Sequence, residues 1–258
     1  MVARESEIDR AAAFAITLAE ASRALLHEPD AIAAEVKADG SPVTALDRLV
    51  EDRLRAMIAE RFPGHGIVGE EYGAEGAGRS FVWALDPIDG TLPFLAGIPV
   101  YGTLIALLRD GEPVIGLADM PATGERWVGR TGRPSTRNGA PVRVRPCASL
   151  ANALLSTSNP DFYGAADAPA LARLKAATRW TVYGGSCMAY LQLASGRIDV
   201  GLDVGLEPFD YLALAPIIAG AGGRLTDWRG APLGLASGDR VLAAGDRRCH
   251  AEALALLA

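Results

Sequence analysis

One stretch of the chain, residues 81–91, constrains the fold more than any other. It reads Phe-Val-Trp-Ala-Leu-Asp-Pro-Ile-Asp-Gly-Thr. A short apolar run bounded by Pro and Gly predicts a buried strand that ends at Asp86. Asp89 follows in the turn, and Gly90 with Thr91 predicts the start of a short helix. Two carboxylates beside free backbone N–H groups suit a metal ion and a phosphate. The alternative is a tight turn in which both acids only cap the helix.

The composition narrows the class of protein. The chain has 258 residues, of which 50% are hydrophobic and 22% charged, as expected for a globular protein. The net charge of −6 argues against nucleic-acid or anionic-membrane partners, but bound cations could still attract an anionic substrate. The cysteines Cys147, Cys187 and Cys249 form no CxxC pair, which favours a reduced, cytoplasmic compartment over a zinc site. The chain has no signal-peptide core and no apolar run of about 18–20 residues, which predicts a soluble protein.

Hydrophobic spacing in the first half predicts two amphipathic helices, over residues 8–26 and from Thr44 onward. A loop at residues 37–42 separates them, and a glycine-rich loop is expected at residues 73–78. Asp110-Gly111 between two β-rich runs is a strong hairpin signal.

The second half alternates strands and helices. The expected strands are 154–156, 180–183, 199–202, 224–226 and 241–243, and the expected helices are 168–177, 186–194, 210–221 and a last one ending at Leu257. This mixture predicts a layered α+β fold rather than a regular parallel sheet. We expect one catalytic domain over residues 1–258, with a metal- and phosphate-binding part to about residue 146 and a substrate-side part over residues 147–258.

Acidic residues stand at the ends of several expected elements. They are Glu70, Asp86, Asp89 and Asp210. Carboxylate and carbonyl oxygens are the ligands that Mg²⁺ prefers, and Pro87 leaves the Ile88 carbonyl free to face the same centre. Each acid alone is more often a cap or a surface charge, so the prediction depends on their conjunction.

Four motifs together carry a family resemblance. They are Gly69-Glu-Glu71, Asp86-Pro-Ile-Asp-Gly-Thr91, Glu207-Pro-Phe-Asp210 and Ala219-Gly-Ala-Gly-Gly223. In order and approximate spacing they resemble the inositol monophosphatase superfamily over nearly the whole chain. The resemblance implies a five-layered αβαβα sandwich, a homodimer, two or three Mg²⁺ ions and in-line hydrolysis of a small phosphate monoester without a covalent intermediate.

The resemblance also implies roles for individual residues. The expected metal ligands are Glu70, Asp86, the Ile88 carbonyl, Asp89 and Asp210. The backbone N–H groups of Gly90 and Thr91 match the phosphate site. Thr91 and Asp47, with Glu70, match the catalytic group that activates water, although Asp47 also fits a capping box with Thr44. Lys37 falls on the loop that is mobile in the family, but a solvated loop lysine is an equally good interpretation.

The second half of the chain indicates which branch of the superfamily, and therefore which substrate, is expected. Residues 183–190 and 205–216 look most like histidinol-phosphate phosphatases, since inositol phosphatases usually carry Trp at the position of Phe209. Glu207, Ser186 and Asp210 are the expected substrate contacts. The chain departs from the branch at Ser186, where an acid is typical, and from the family at Leu92-Pro93, where a basic residue and Ser are common. An inositol-1-monophosphatase or a related sugar-phosphate phosphatase is the alternative.

Other classes of function fit less well. The motif at residues 86–91 superficially resembles the Asp-x-Asp-Gly-Thr signature of haloacid-dehalogenase phosphatases, but the extra residue displaces the second acid. Gly220-Ala-Gly-Gly223 lacks the full GxGxxG pattern of dinucleotide sites. A catalytically silent binding protein on the same fold is the alternative from another class.

Overall fold

The computed structural model describes residues 2–26, 34–37, 40 and 42–257, so residues 38, 39 and 41 of the predicted loop lie outside it. The helices are α1 Val2–Leu26, α2 Ala45–Arg61, α3 Thr91–Leu95, α4 Ala168–Ala177, α5 Ser186–Ala194, α6 Pro208–Tyr211, α7 Leu214–Gly220 and α8 Arg247–Leu257. The strands are β1 Ala34–Val36, β2 Pro42–Thr44, β3 Gly66–Gly69, β4 Gly73–Glu75, β5 Phe81–Asp89, β6 Gly102–Arg109, β7 Glu112–Met120, β8 Glu125–Arg130, β9 Arg133–Arg137, β10 Ala140–Pro141, β11 Leu154–Thr157, β12 Trp180–Tyr183, β13 Val200–Asp203, β14 Arg224–Asp227 and β15 Val241–Ala244.

Two large sheets organise the described chain. The first has the strand order β10-β9-β8-β7-β6-β5-β3-β4 and is antiparallel except for the β3–β5 pair. The second has the order β12-β11-β13-β15-β14, with β11 parallel to both of its neighbours. The short strands β1 and β2 form a separate antiparallel pair.

The alternation of side chains along β5 explains how the layers stack. Phe81, Trp83 and Leu85 pack with α1 and α2 on one face of the first sheet, because successive strand residues point to opposite faces. Val82 and Ala84 pack with α5 and α7 on the other face. Fully burying a large apolar side chain stabilises the fold by about 1.5–3 kcal/mol, so this two-faced core fixes the central strand firmly.

The same middle helices also pack against β15 of the second sheet. The outer face of that sheet packs with α4 and α8. The layers are therefore helices, sheet, helices, sheet and helices, and the predicted αβαβα sandwich is confirmed. None of the helices in the described parts of the chain combines the length and the apolar character that crossing a membrane requires.

Three local predictions need correction. The strand expected to end at Asp86 continues to Asp89, through a bulge. The expected loop at 73–78 contains β4, which pairs with β3. The helix expected over 210–221 is interrupted between α6 and α7, because Pro216 has no N–H to donate to the Leu212 carbonyl one turn earlier.

Candidate active site

A bulge in β5 brings the two aspartates of the opening motif to one side of the strand. Asp86 pairs with Leu104 of β6 and Asp89 with Gly102, so β5 carries one extra residue over this interval. In a regular strand, residues three apart point to opposite faces, whereas the extra residue restores both to the same face. The bulge therefore lets Asp86 and Asp89 converge.

Asp210 completes a group of three carboxylates. It lies in the first turn of α6, where its Oδ2 accepts a hydrogen bond of 2.7 Å from the Glu207 backbone N–H. Ligand oxygens of Asp86, Asp89 and Asp210 all lie within 4.8 Å of one another. This spacing is suited to one shared cation or to two adjacent cations.

Burial and mutual repulsion disfavour the ionised form of these carboxylates. Burial raises the pKa of Asp86 well above its ordinary value, and the charges of Glu70, Asp89 and Asp210 raise it further. Burial, followed by the charge of Asp89, does the same to the pKa of Asp210. Burial also raises the pKa of Asp89, while a hydrogen bond from Cys187 opposes that rise. Such a cluster of raised pKa values is typical of functional sites.

The residues present fit a hard divalent cation. Asp86 is 1% exposed, and its Oδ1 has no hydrogen-bond partner. A buried carboxylate oxygen without a partner is costly, and a metal ion is one of the few groups that can satisfy it. The donor set consists entirely of carboxylate oxygens, which Mg²⁺ prefers and soft metals do not.

Glu70 stands beside this group rather than within it. Its carboxylate accepts a 2.8 Å hydrogen bond from Lys37 Nζ, which also lies 2.5 Å from Glu71 Oε1. Burial raises the pKa of Glu70, and the ion pair with Lys37 opposes that rise. The predicted loop lysine is thus bound to a predicted metal ligand.

The turn after β5 is shaped by Gly90, whose φ of +83° is in the left-handed region that favours glycine. A Cβ at this position would lie 3.0 Å from Ser186 Oγ. Thr91 begins α3, and its hydroxyl donates to the Ile88 carbonyl over 3.2 Å. The expected metal-facing carbonyl is therefore hydrogen-bonded to the expected catalytic threonine.

Ser186 itself begins α5 with a φ of +43°, which is strained for a residue other than glycine. The next residue, Cys187, donates its backbone N–H to Asp89 Oδ2 over 2.7 Å. The turn at Ser186 thus aims a backbone donor from the second half of the chain at a carboxylate of the first half.

Asp47 forms the capping box that its sequence position predicts. Its Oδ2 accepts hydrogen bonds from the Thr44 backbone N–H, at 2.7 Å, and from the Thr44 hydroxyl, at 2.6 Å. Burial raises the pKa of Asp47. Within the described residues no hydrogen bond joins Asp47 to Thr91, so the structure does not bring this predicted pair into direct contact.

A cavity of about 590 Å³ opens over the three aspartates. Its lining includes Pro42, Glu70, Asp86, Ile88, Asp89, Gly90, Thr91, Leu92, Pro93, Ser158, Asn159, Pro160, Phe162, Tyr183, Ser186, Cys187, Tyr190, Val204, Leu206 and Asp210. Glu207 is exposed and lies outside this lining, and it contributes its backbone N–H to Asp210. Its predicted contact with the substrate stays a prediction.

Asp203 was missed by the sequence reasoning. It is 4% exposed, and it accepts hydrogen bonds of 2.7 Å from both the Ser158 N–H and the Tyr190 hydroxyl, two residues of the cavity wall. Burial raises its pKa to about 6. Asp203 directly follows the strand predicted at 199–202, as Asp86 follows the predicted apolar run, and this position was the available signal.

Comparisons with known proteins identify the family of the chain. The model of the inositol monophosphatase family matches residues 4–258. The chain is 40% identical over 261 residues to "Bifunctional phosphatase IMPL2, chloroplastic" of Arabidopsis thaliana, covering 97% of this chain and 75% of that relative. It is 34% identical over 195 residues to a histidinol-phosphatase of Chlorobaculum parvum, covering 75% of each.

A solved structure gives the same answer for the fold. An inositol monophosphatase from Zymomonas mobilis superposes with a TM-score of 0.88 at 36% identity, covering 96% of this chain and 98% of that one. The family model, the relatives and the structural match cover most of the sequence in each case. The chain therefore belongs to the inositol monophosphatase family, and it is an enzyme of the phosphatase class.

Proposed function

We propose that the protein is a Mg²⁺-dependent hydrolase of small phosphate monoesters. The observation that carries the proposal is the convergence of three carboxylates within 4.8 Å, one of them with a buried oxygen that lacks a partner. Asp86, Asp89 and Asp210, with Glu70 and the Ile88 carbonyl, would hold two or three ions. Bound Mg²⁺ supplies positive charge to the phosphate oxygens and lowers the pKa of the attacking water.

The protein groups around the ions have separate tasks. The N–H groups of Gly90 and Thr91, at the start of α3, would donate to the phosphate. Asp47 would take up the proton of the attacking water through the Thr91 hydroxyl, which would have to leave the Ile88 carbonyl and turn towards Asp47. The raised pKa of Asp47 supports its use as a base, and β2, which carries its partner Thr44, contacts α3.

Histidinol phosphate is the substrate that we propose. The similarity to the Chlorobaculum histidinol-phosphatase supports it. So does the cavity mouth, where three large apolar or aromatic side chains are exposed: Leu92, Phe162 and Tyr183. An imidazole ring can pack its faces on such groups, and Ser186 and Glu207 remain our candidates for its polar contacts.

Inositol-1-phosphate or another sugar phosphate is the second candidate. The similarity to the Zymomonas inositol monophosphatase favours it. The polar side chains of Ser158, Asn159 and Ser186 in the cavity wall also suit a substrate with several hydroxyl groups.

A substrate panel tests both levels of the proposal. Phosphate release from histidinol phosphate, inositol-1-phosphate and fructose-1,6-bisphosphate is measured as kcat/KM, with Mg²⁺ and with EDTA. We expect activity only with Mg²⁺ and the highest kcat/KM for histidinol phosphate. Absence of Mg²⁺-dependent phosphate release from every substrate of the panel would contradict the proposal and favour the silent binding protein. A trapped aspartyl-phosphate would overturn the water mechanism. The homodimer, the cytoplasmic location and the single-domain organisation stay predictions.

A further inference from the structure

In the β5 bulge a side chain, rather than a backbone N–H, donates to the carbonyl of Pro87. Pro87, between Asp86 and Asp89, has no N–H with which to pair to β6. Its carbonyl accepts a 2.8 Å hydrogen bond from the hydroxyl of Thr103, which lies on β6 between the partners of the two aspartates. Thr103 is 1% exposed, so no bulk water competes for this bond.

The Thr103 hydroxyl is in turn hydrogen-bonded to a second buried hydroxyl, that of Ser22. Ser22 Oγ of α1 lies 2.5 Å from Thr103 Oγ1, and Ser22 is completely buried. A hydroxyl has one proton to donate, and that of Thr103 goes to Pro87. The Ser22 hydroxyl is therefore the donor to Thr103, and a directed chain runs from α1 through β6 to the bulge.

The neighbouring residue anchors this part of α1. Arg23 makes two hydrogen bonds of 2.8 Å to the carboxylate of Asp119, the residue of β7 that pairs with Thr103. Asp119 is 1% exposed and the Arg23 side chain is 30% exposed, so this bidentate contact of the strong kind is partly buried. The ion pair keeps Ser22 in register with Thr103.

We propose that Thr103, supported by Ser22, is a positioning residue for the metal-binding carboxylates. By holding the Pro87 carbonyl, it fixes the bulge that turns Asp86 and Asp89 to the same side of β5. The inference rests on the proposed role of these aspartates as cation ligands. Groups that orient metal ligands from behind commonly change metal affinity by about 10–100-fold when they are removed.

Mg²⁺ binding without substrate is the direct test. Isothermal titration calorimetry with Mg²⁺ alone is compared for wild type, Thr103→Val, Thr103→Ser and Ser22→Ala. We expect the Kd for Mg²⁺ to rise about tenfold in Thr103→Val, to rise less in Ser22→Ala, and to stay near wild type in Thr103→Ser, which keeps the hydroxyl. Thermal unfolding in EDTA is recorded for each variant, so that a loss of stability is seen separately from a loss of affinity.

Thr226→Val is the matched control. Thr226 is also buried and also donates to a backbone carbonyl, that of Asp227 over 2.8 Å, but it belongs to the second sheet. We expect this variant to lose thermal stability and to keep the wild-type Kd for Mg²⁺.

Two outcomes overturn the inference. One is a wild-type Kd for Mg²⁺ in Thr103→Val, whatever its thermal stability. The other, if Thr103→Val does not fold, is a folded Ser22→Ala variant with an unchanged Kd. Failure of the proposed function is distinct, because it appears as wild-type protein that binds Mg²⁺ but releases no phosphate from the substrate panel.

Discussion

Asp86 combines full burial with an unpaired carboxylate oxygen, and neighbouring acids oppose its ionisation. In a protein interior such a group is destabilising unless a cation or a proton neutralises it. The residue therefore makes sense as part of a binding site rather than as part of the core. Asp210 is only half-buried and is hydrogen-bonded to the Glu207 N–H, but burial and the charge of Asp89 raise its pKa as well.

Asp210→Asn separates binding from folding at this site. Removing one of the mutually repelling carboxylates should leave the stability in EDTA equal to or above that of wild type. Mg²⁺-dependent phosphate release should fall by at least about a hundredfold, since a direct ligand is lost. Phosphate release and thermal unfolding with and without Mg²⁺ are the measurements.

Asp52→Asn is the control for this change, because Asp52 is an exposed aspartate on α2. It should behave as wild type in every measurement. An Asp210→Asn variant that retains full activity, or that is still stabilised by Mg²⁺ as strongly as wild type, would remove Asp210 from the metal site.

The predictability of individual residues depended on where their partners lie. Asp86, Asp89 and Thr91 share one short motif, so local sequence was enough to select them as candidates, and the structure brings Asp86 and Asp89 together. Asp203 and Thr103 have roles that come from contacts across sheets and helices, with Tyr190 in one case and Pro87 in the other. Spacing along the chain carries no record of such contacts.

At the level of elements, Pro87 misled the sequence reasoning. Proline normally ends or borders a strand, so the strand was expected to stop at Asp86. Proline is also tolerated at a bulge, and the structure uses it there. The hairpin at Asp110-Gly111 was predicted correctly because its turn chemistry is local. The interruption of the helix before Pro216 was visible in the sequence, but the strongly apolar pattern outweighed it.

Helix α2 fixes the turn that presents Glu70. The carboxylate of Glu51 is completely buried and accepts hydrogen bonds from the backbone N–H groups of Glu71, at 2.7 Å, and Tyr72, at 3.2 Å. Arg55, one turn later, donates to the same carboxylate over 2.7 Å and also bonds the Gly73 carbonyl. Only glycine fits at position 69, because a Cβ there would collide with this carboxylate.

Glu51→Gln should therefore weaken Mg²⁺ binding and catalysis, although Glu51 is not one of the expected metal ligands. An amide can accept one of the two backbone N–H groups but presents its NH₂ group to the other donors, so the turn should shift. We expect kcat to fall about tenfold and the Kd for Mg²⁺ to rise. Glu60→Gln, an exposed change on the same helix, is the matched control. Unchanged kcat and Kd in Glu51→Gln would show that the turn is held by other contacts.

At the scale of the whole molecule, the three aspartates lie where the first sheet meets the helical layer that separates the two sheets. Asp86 and Asp89 come from the first sheet, whereas Asp210 and the Cys187 N–H come from the helical layer between the sheets. The layered fold was predictable from the alternation of elements and from the family resemblance. The stacking of the layers was not, because periodicity gives the buried face of a helix but not its partner.

Three aspartates with raised pKa values predict an unusual pH dependence of the free energy of unfolding in the absence of metal. Asp86, Asp210 and Asp203 all have raised pKa values, chiefly through burial, and that of Asp203 is raised to about 6. An unfolded aspartate titrates near 3.9, so between about pH 4 and 6 the folded state holds more protons at these sites. Their unfavourable ionisation is therefore absent at low pH and fully present above the folded pKa.

In EDTA, the free energy of unfolding should accordingly fall as the pH rises from about 4, and the part of this fall that is due to Asp203 should be complete by about pH 7. For Asp203 alone, a rise of about two pKa units corresponds to roughly 3 kcal/mol. Mg²⁺ binds the ionised carboxylates, so the stabilisation that it gives should grow over the same pH interval.

Asp203→Asn should flatten the pH dependence of the stability in EDTA and keep the stabilisation by Mg²⁺, whereas Asp210→Asn should remove most of the stabilisation by Mg²⁺. Urea unfolding at pH 5, 6, 7 and 8, with EDTA or with Mg²⁺, measures both. Stability in EDTA that rises steadily to pH 8, or a Mg²⁺ effect of equal size at pH 5 and pH 8, would contradict the assignment of these acids as a cation site.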